Sequence, residues 1–475
     1  MPLPEVIVRR GDRGAAPFPA DDVSTRFEVV ASDRGPVGEP VECRSFAQVR
    51  QAFGDHSTTS TLRAVESYFA EGGSRAVLSR AVGPAARVAR ATLTGGASPV
   101  ATVTVEAAGE GTFYHGVRVA VAASDSGDDR LVTVTLNGST LVSGTVSSID
   151  EAIELIDLSG YVTASAVTNG RWPLTVAGAT LADGADDDTS ITHTQVRTAL
   201  AAFDEDFGPG SVCASAWDGI DVFTALADHA AANNRFARGD FGRTATVATI
   251  EPVATTVRGL PNARYIQLLA GWINVSVAGV TVPVPPSGVH TGREALADRE
   301  NAAGPGQPCS WTFGEYRTPV GVVKQFTRAE RETLNDLGVN VIVQDPQGAI
   351  YAEDAITAVD TIRYPQYAEV SAMRVTMAVH AQAKQVLRKR VMQTIDGRGH
   401  LAAAATGDVI AICADWYARD ALYGGDAAEA YAASVVAETE AGRRPRLVGY
   451  LALRPSPSAH TVELTITQVA PSDTI

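Results

Sequence analysis

The stretch VSTRFEVVASDRGPVGEPVECRSFAQVRQAFG (residues 23–54) reads as a strand, a turn and a helix in succession. TRFEVVAS is a short run rich in β-branched and aromatic residues, as strands are. DRGPVGEP brings together the glycines and prolines that reverse a chain. SFAQVRQAFG then sets Phe46, Val49 and Phe53 on one stripe at helical spacing. Next come STLRAVESYFAEGG (60–73), a helix stopped by Gly72 and Gly73, and RAVLSRAV (75–82), a second strand. Strands and helices that alternate in this way predict a mixed α/β fold.

Towards the N-terminus, PEVIVRR (4–10) is a short strand, with Val6, Ile7 and Val8 at its centre, and GDRGAAPFPADD (11–22) is a Gly/Pro-rich linker. From Val88 to Asp188 the composition turns to Thr, Val, Ser and Gly, and short alternating segments predict a β-rich insertion. Within it only SIDEAIELIDL (148–158) has a helical pattern, and it closes on the acidic loop ADGADDDTS (182–190). Alternation then resumes. DGIDVFTALADHAAANNRF (218–236) is an amphipathic helix, and YIQLLAGWINV (265–275) a buried strand. In FTRAERETLNDLG (326–338), Thr327 and Glu330 have capping-box spacing and Gly338 is a stop. VNVIVQDPQGAIYA (339–352) has a hairpin pattern. A long helix is expected from Tyr367 to Asp396, its basic run Arg388, Lys389 and Arg390 towards the end where the helix dipole favours cations, and another over 407–425. Three strands close the chain, YAASVVAET (431–439), PRLVGYLAL (445–453) and HTVELTITQV (460–469); in the last, Val462, Leu464 and Ile466 share one face. The expected domains are an arm (1–25), a core in two parts (26–87 and 189–325), the insertion (88–188), a C-terminal domain (326–454) and a C-terminal strand arm (455–475).

A length of 475 residues suits about three domains, and 45% hydrophobic with 20% charged residues is an ordinary globular composition. There is no run of about 18 apolar residues and no basic-then-apolar leader, so a soluble chain is expected, without the usual export signal. A net charge of −15 opposes a nucleic-acid-coating role, which needs a basic face. Cys43, Cys213, Cys309 and Cys413 lie far apart and include no CxxC pair, so reduced, packed thiols are expected.

Catalytic patterns are weak. GGSRA (72–76) resembles a nucleophile motif only superficially, because a helix stop followed by a strand is the reverse of a nucleophile elbow. No phosphate-binding GxxxxGK[ST] and no HExxH occurs, and GEGTFYHG (109–116) has the wrong glycine spacing for a dinucleotide fingerprint. Asp183, Asp186, Asp187 and Asp188 lack a Glu at the closing position of a calcium loop, where Thr194 stands, and are expected to be solvated. His290, in PPSGVHTG, is expected in a Pro/Gly loop as a structural residue. No catalytic, cofactor or metal-binding residue is predicted.

The order of segments carries more information. Gly35, Pro36, Gly38 and Pro40 in the first turn, Ser45, Phe46, Phe53 and Gly54 in the first helix, and Tyr68, Phe69, Gly72, Gly73 and Arg75 at the helix stop resemble the opening of contractile tail sheath proteins. The resemblance continues through LADGADD, YIQLLAGWINV and PPSGVHTGREALADRE, where Pro285, Pro286, Ser287, Gly288 and Gly292 match and Thr291 replaces the usual Ala. It extends to Leu334, Asn335, Gly338, Val339, Asn340 and Ile342, and to the C-terminal ALYGG and LRPSPSAHTVELTITQV. Two segments depart, PCSWTFGEY (308–316) and AEDAIT (352–357), and are expected to meet neighbours differently.

The resemblance implies a discontinuous α/β core of the kind called subtilisin-like, with a β-rich inserted domain and terminal strand arms. It implies a non-enzymatic subunit of a phage tail or related injection particle. Such subunits form stacked hexameric rings around an inner tail tube and contract to drive that tube through a cell envelope. Partners would be further copies of the chain, the tube protein, and baseplate and tail-terminator proteins, with no cofactor, no direct nucleic acid and no membrane insertion. The particle would be a virion tail assembled in the bacterial host cytoplasm. The terminal strands Val6–Val8 and Val462–Ile466 would pair with neighbouring subunits. Arg388, Lys389, Arg390, Arg443 and Arg444 are candidate interface charges. The alternatives are a hydrolase on a subtilisin-like fold and another structural virion protein.

Overall fold

Six short strands run parallel in one sheet, ordered Val339–Gln344, Ile266–Ala270, Phe236–Asp240, Ser211–Cys213, Arg26–Val30 and Ala76–Arg80. Antiparallel edge strands, Ile350–Ala352 and Val41–Cys43, complete it on either side. The computed structural model describes residues 23–54, 60–96, 98, 100–124, 127–174, 176–440 and 444–460. The arm residues Val6, Ile7, Val8, Val462, Leu464 and Ile466, and Arg443, lie outside them. Buried on both faces, the strands read as near-continuous buried runs, as parallel sheets require. One large apolar cluster joins Phe27, Val29, Val212, Leu268 and Val341 of the sheet to Leu200, Phe223, Ile250, Leu334 and Met377 of five helices.

The predicted helices at 46–53, 60–71, 220–232 and 328–336 are all present, and Thr327 and Glu330 form the capping box. Three of the expected elements need correction, the first being the helix expected over 407–425, which runs from His400 to Ala418. YIQLLAGWINV is not one strand: Gly271, at φ +101°, breaks it, and Ile273–Val277 joins a separate sheet with Val280–Val284 and Pro319–Val322. The long helix runs only from Val370 to Arg388, with Lys389 as its C-cap, so Arg390 lies past its end.

Among the described residues, 88–180 form two antiparallel sheets, a short 3-10 helix, Thr112–Gly116, and one α-helix, Ile149–Asp157. Their own apolar cluster includes Val103, Val105, Val119, Val132, Val134 and Ile156. The acidic loop is solvated only in part: Asp183 is exposed as expected, whereas Asp186, Asp187 and Asp188 are half-buried and close the joint to the main sheet. Fully buried Arg80 donates to the carbonyls of Ser32, Gly35 and Glu110 and reaches Asp186 at 3.4 Å. Asp186 also accepts from Thr112, Asp187 accepts from Ala85 and Ser190, and burial pushes the Asp188 carboxyl up to about 6. Oppositely running bonds tie the outgoing and returning connections together at Arg87–Ala185 and Arg90–Ala182.

Arg80→Met leaves those carbonyls without their donor. We expect a loss of about 2 kcal/mol, from a buried-acceptor penalty of about 1–3 kcal/mol, together with new protease cuts confined to residues 81–90 and 182–190. An unchanged digestion pattern and unfolding midpoint would remove Arg80 as the pin of this joint.

Candidate functional site

PPSGVHTGREALADRE contains few apolar residues, yet it forms helix Pro286–Glu300, and every residue from Pro286 to Ala295 is buried. Pro286 starts it, as proline can where an N–H would have no helical partner. His290 therefore sits inside a helix at the centre of the molecule, not in the Pro/Gly loop expected from its neighbours.

Two features bury so polar a helix. Gly288 and Gly292 let it touch helix Ser60–Glu71. A Cβ at Gly288 would stand 2.3 Å from the Ala64 carbonyl oxygen, and one at Gly292 2.5 Å from that of Tyr68. The sheet face beneath it is also polar, because Glu28, Cys213, Arg238 and Gln267 stand opposite one another on four successive strands.

Helix and sheet satisfy each other. Ser287 donates from its backbone N–H (3.0 Å) and its hydroxyl (2.5 Å) to Asp240. Arg26 donates to the Ser287 carbonyl (2.9 Å), the Thr291 hydroxyl (2.7 Å) and Glu28, whose other oxygen accepts from the Ser215 N–H at 2.8 Å. Arg238 pairs with Glu294 at 2.5 Å, and Arg374 clamps Asp298 at 2.6 and 3.0 Å. His290 Nδ1 meets the Tyr316 hydroxyl at 3.1 Å.

Charge follows this geometry. Burial raises the Glu294 carboxyl, but Arg238 and Arg374 outweigh it and hold the group at about 2. Burial pushes Asp240 up to about 7 against the opposing bonds from Ser287, and pushes His290 down to about 4, leaving a neutral imidazole at neutral pH. Burial likewise raises all four thiols, which are free and buried as expected.

A Ser, a His and an Asp meet here without the geometry of nucleophilic catalysis. The Ser287 hydroxyl bonds to Asp240 and Ser215, and His290 is held by Tyr316 with Glu294 at 3.7 Å. An activated serine needs a base within hydrogen-bond reach and a path for substrate, and Ser287 and His290 are both 0% exposed. The layer acts as a structural fastening. Its signal in the sequence was the pairing of charged i, i+2 positions in strands (Arg26 and Glu28, Arg238 and Asp240) with Ser287, Thr291, Glu294 and Asp298 at helical spacing.

The surface that faces outward is built differently. Strands Tyr431–Glu438 and Arg446–Leu453 form a hairpin sheet with no third strand among the described residues. Its inner face packs on helix His400–Ala418, and its outer face leaves Val436 and Tyr450 more than half exposed. Although the sequence has no unbroken run of about 18 apolar residues, that helix is long and apolar enough by composition to cross a membrane. Here Leu401, Val409, Cys413 and Trp416 are buried, and Asp408 pairs with Arg390 at 2.7 Å. Of the candidate interface charges, Arg388 closes its helix, Lys389 caps it, and Arg390 is engaged within the chain. Arg444 lies just before the second hairpin strand. Trp311, at φ +49° and stacked on Tyr351, is 57% exposed, and Phe313 is 50% exposed, in the segment where the sequence departs from the sheath pattern.

No protein-family model and no curated protein sequence matches the chain. Solved structures do. The sheath tail protein from Listeria innocua superimposes with a TM-score of 0.65 over 92% of this chain and 96% of its own, at 14% identity. That from Desulfitobacterium hafniense gives 0.60 over 95% and 100%, also at 14% identity. The helical sheath of the anti-feeding prophage in its contracted state gives 0.55 over 98% and 99%, at 13% identity. The chain has the fold of a contractile sheath protein. In this sheath fold the PPSG helix is the buried spine of the main sheet, and the hairpin Tyr431–Leu453 has no third strand among the described residues.

Proposed function

We propose that this chain is a structural, non-enzymatic subunit of a contractile sheath. It would polymerise as stacked hexameric rings around an inner tail tube and contract to drive that tube through a cell envelope. The observation that carries the reading is the near full-length likeness to sheath structures, the contracted helical sheath of the anti-feeding prophage among them. The hairpin Tyr431–Leu453 adds a physical means of assembly. An open sheet edge is a template for another strand, and Val6–Val8 and Val462–Ile466 supply apolar alternation suited to it. Linkers at 11–22 and 455–458 would keep such strands paired while subunits reorient.

With a net charge of −15, like subunits repel unless basic groups meet acidic ones. Arg388, Lys389, Arg390, Arg443 and Arg444 are the candidates for that role, and Arg390 also pairs with Asp408 within the chain. The insertion, residues 88–188, would form the outer domain. The inner tube, the baseplate and a tail terminator would be the other partners, within a virion tail or tail-like particle assembled in the host cytoplasm. Work would come from interface area repeated over many subunits, with no cofactor in the cycle.

Negative-stain microscopy of the purified full chain should show striated tubes. Removal of residues 1–20, or Leu464→Pro, which deletes a ladder donor, should leave a folded protein that forms none. A wild-type chain that stays dispersed at every concentration tested would overturn the sheath reading. Normal tubes from both variants would overturn only the strand exchange.

A further inference from the structure

The segment after the hairpin is fastened to the body at successive points. Tyr423 donates to the Arg454 carbonyl at 2.7 Å, Ser456 donates to the carbonyls of Ala421 and Asp420, and Leu422 bridges Pro455. These first contacts are neutral. The next are ionic. Ser458 donates to Glu369 through its N–H (3.1 Å) and its hydroxyl (2.7 Å), and His460 lies between two carboxylates, 3.6 Å from Glu369 and 3.7 Å from Asp354.

We propose that His460, Glu369 and Asp354 form a pH-sensitive latch that holds residues 458–460 against the body and releases them when the imidazole loses its proton.

Both carboxylates are held in place independently of the histidine. Glu369 is the N-cap residue of helix Val370–Arg388 and also accepts from Ser371 at 3.2 Å. Asp354, in the loop after strand Ile350–Ala352, accepts from Asn335 at 2.8 Å. The adjacent Glu353 is occupied by Arg331 at 2.9 Å. The described charged groups about the imidazole are thus two carboxylates facing it and, beside them, one carboxylate already neutralised by an arginine. The Glu369 carboxylate beside it raises His460 above the ordinary imidazole range, with burial opposing and Asp354 adding, while burial of Glu369 is outweighed by His460 and Ser458, which hold it at about 2.

The signs give a window. A raised histidine contributes below its unfolded value of about 6.5 and loses that contribution as pH rises through the folded value. A depressed carboxylate contributes above its unfolded value of about 4.3 and loses that as pH falls through about 2. The latch is fully closed between about pH 4.5 and 6.5 and opens on the alkaline side.

The latch is a contact within one chain and does not rest on the sheath reading. Hydrogen exchange on the full-length chain, corrected for intrinsic rates, tests it. Protection of the Ser458 amide should fall about 2- to 5-fold between about pH 6 and about pH 9, the factor a half-exposed ion pair gives. The amides of Arg454 and Ser456 should not change. His460→Gln should show the low protection at both pH values, and His460→Lys, charged to about pH 10, should keep the high protection at both. A wild-type amide with equal protection across the range, or a pH response that survives in His460→Gln, would overturn the latch.

Discussion

Glu294→Ala should destabilise the protein by about 3–5 kcal/mol, the cost of leaving a buried guanidinium without its partner. Arg238 has 0% side-chain exposure and Glu294 3%, so water cannot replace the lost carboxylate, and Arg374, 3.8 Å away, loses its second acidic neighbour. The cost belongs to the orphaned charge more than to the bond. Replacing both Arg238 and Glu294 with Met should therefore recover most of the loss. Denaturant unfolding of the single and double variants measures both quantities. A single-variant cost under about 1 kcal/mol, the value of an exposed pair, would mean that the layer is hydrated. The pH dependence has a definite sign. Held at about 2 when folded, Glu294 contributes stability above its unfolded value of about 4.3, and that contribution is lost as pH falls through about 2. The acid limb of the stability profile should flatten in Glu294→Ala.

The second large effect comes from Gly288→Ala. Helix propensity alone favours alanine by about 1 kcal/mol in a helix interior. Packing reverses that sign. The added carbon would fall 2.3 Å from the carbonyl oxygen of Ala64 and 2.7 Å from its Cα, both backbone atoms of a packed helix. The two helices would have to separate, and overpacking of this kind costs about 1–3 kcal/mol or more. We expect a net loss of at least about 2 kcal/mol by calorimetry, whereas Gly407→Ala, on an open helix face with nothing within 4 Å, should be neutral or stabilising. Equal behaviour of the two variants would show that the PPSG helix has room to spare.

The alternation of strands and helices was legible because the short parallel strands are almost wholly buried and the covering helices other than Pro286–Glu300 carry an ordinary apolar stripe, as in Phe46, Val49 and Phe53. Thr327 and Glu330 announced their helix because a capping box is local chemistry. Pro286–Glu300 was not legible as a buried helix. Its polarity matches a sheet face supplied by strands up to 265 residues away in sequence, and no local rule contains that complement. His290 was misplaced for the same reason: the glycines that suggested a loop serve a close helix crossing. Gly271 inside YIQLLAGWINV was a local signal of a break, overridden by the apolar residues on both sides. The acidic loop misled because charge was taken as solvent exposure, whereas Asp186 answers a buried arginine.

The hydrogen bonds that join Arg87 to Ala185 and Arg90 to Ala182 determine how the molecule carries load. Tension applied along the chain on either side of the insertion meets a bonded bridge before it reaches the strands beyond. While that bridge and the Arg80 pin hold, force passes from residue 87 straight to residue 185, and the β-rich insertion is a branch off the line of stress. A body that is pulled or twisted through its main sheet can then yield there without stretching the module it carries.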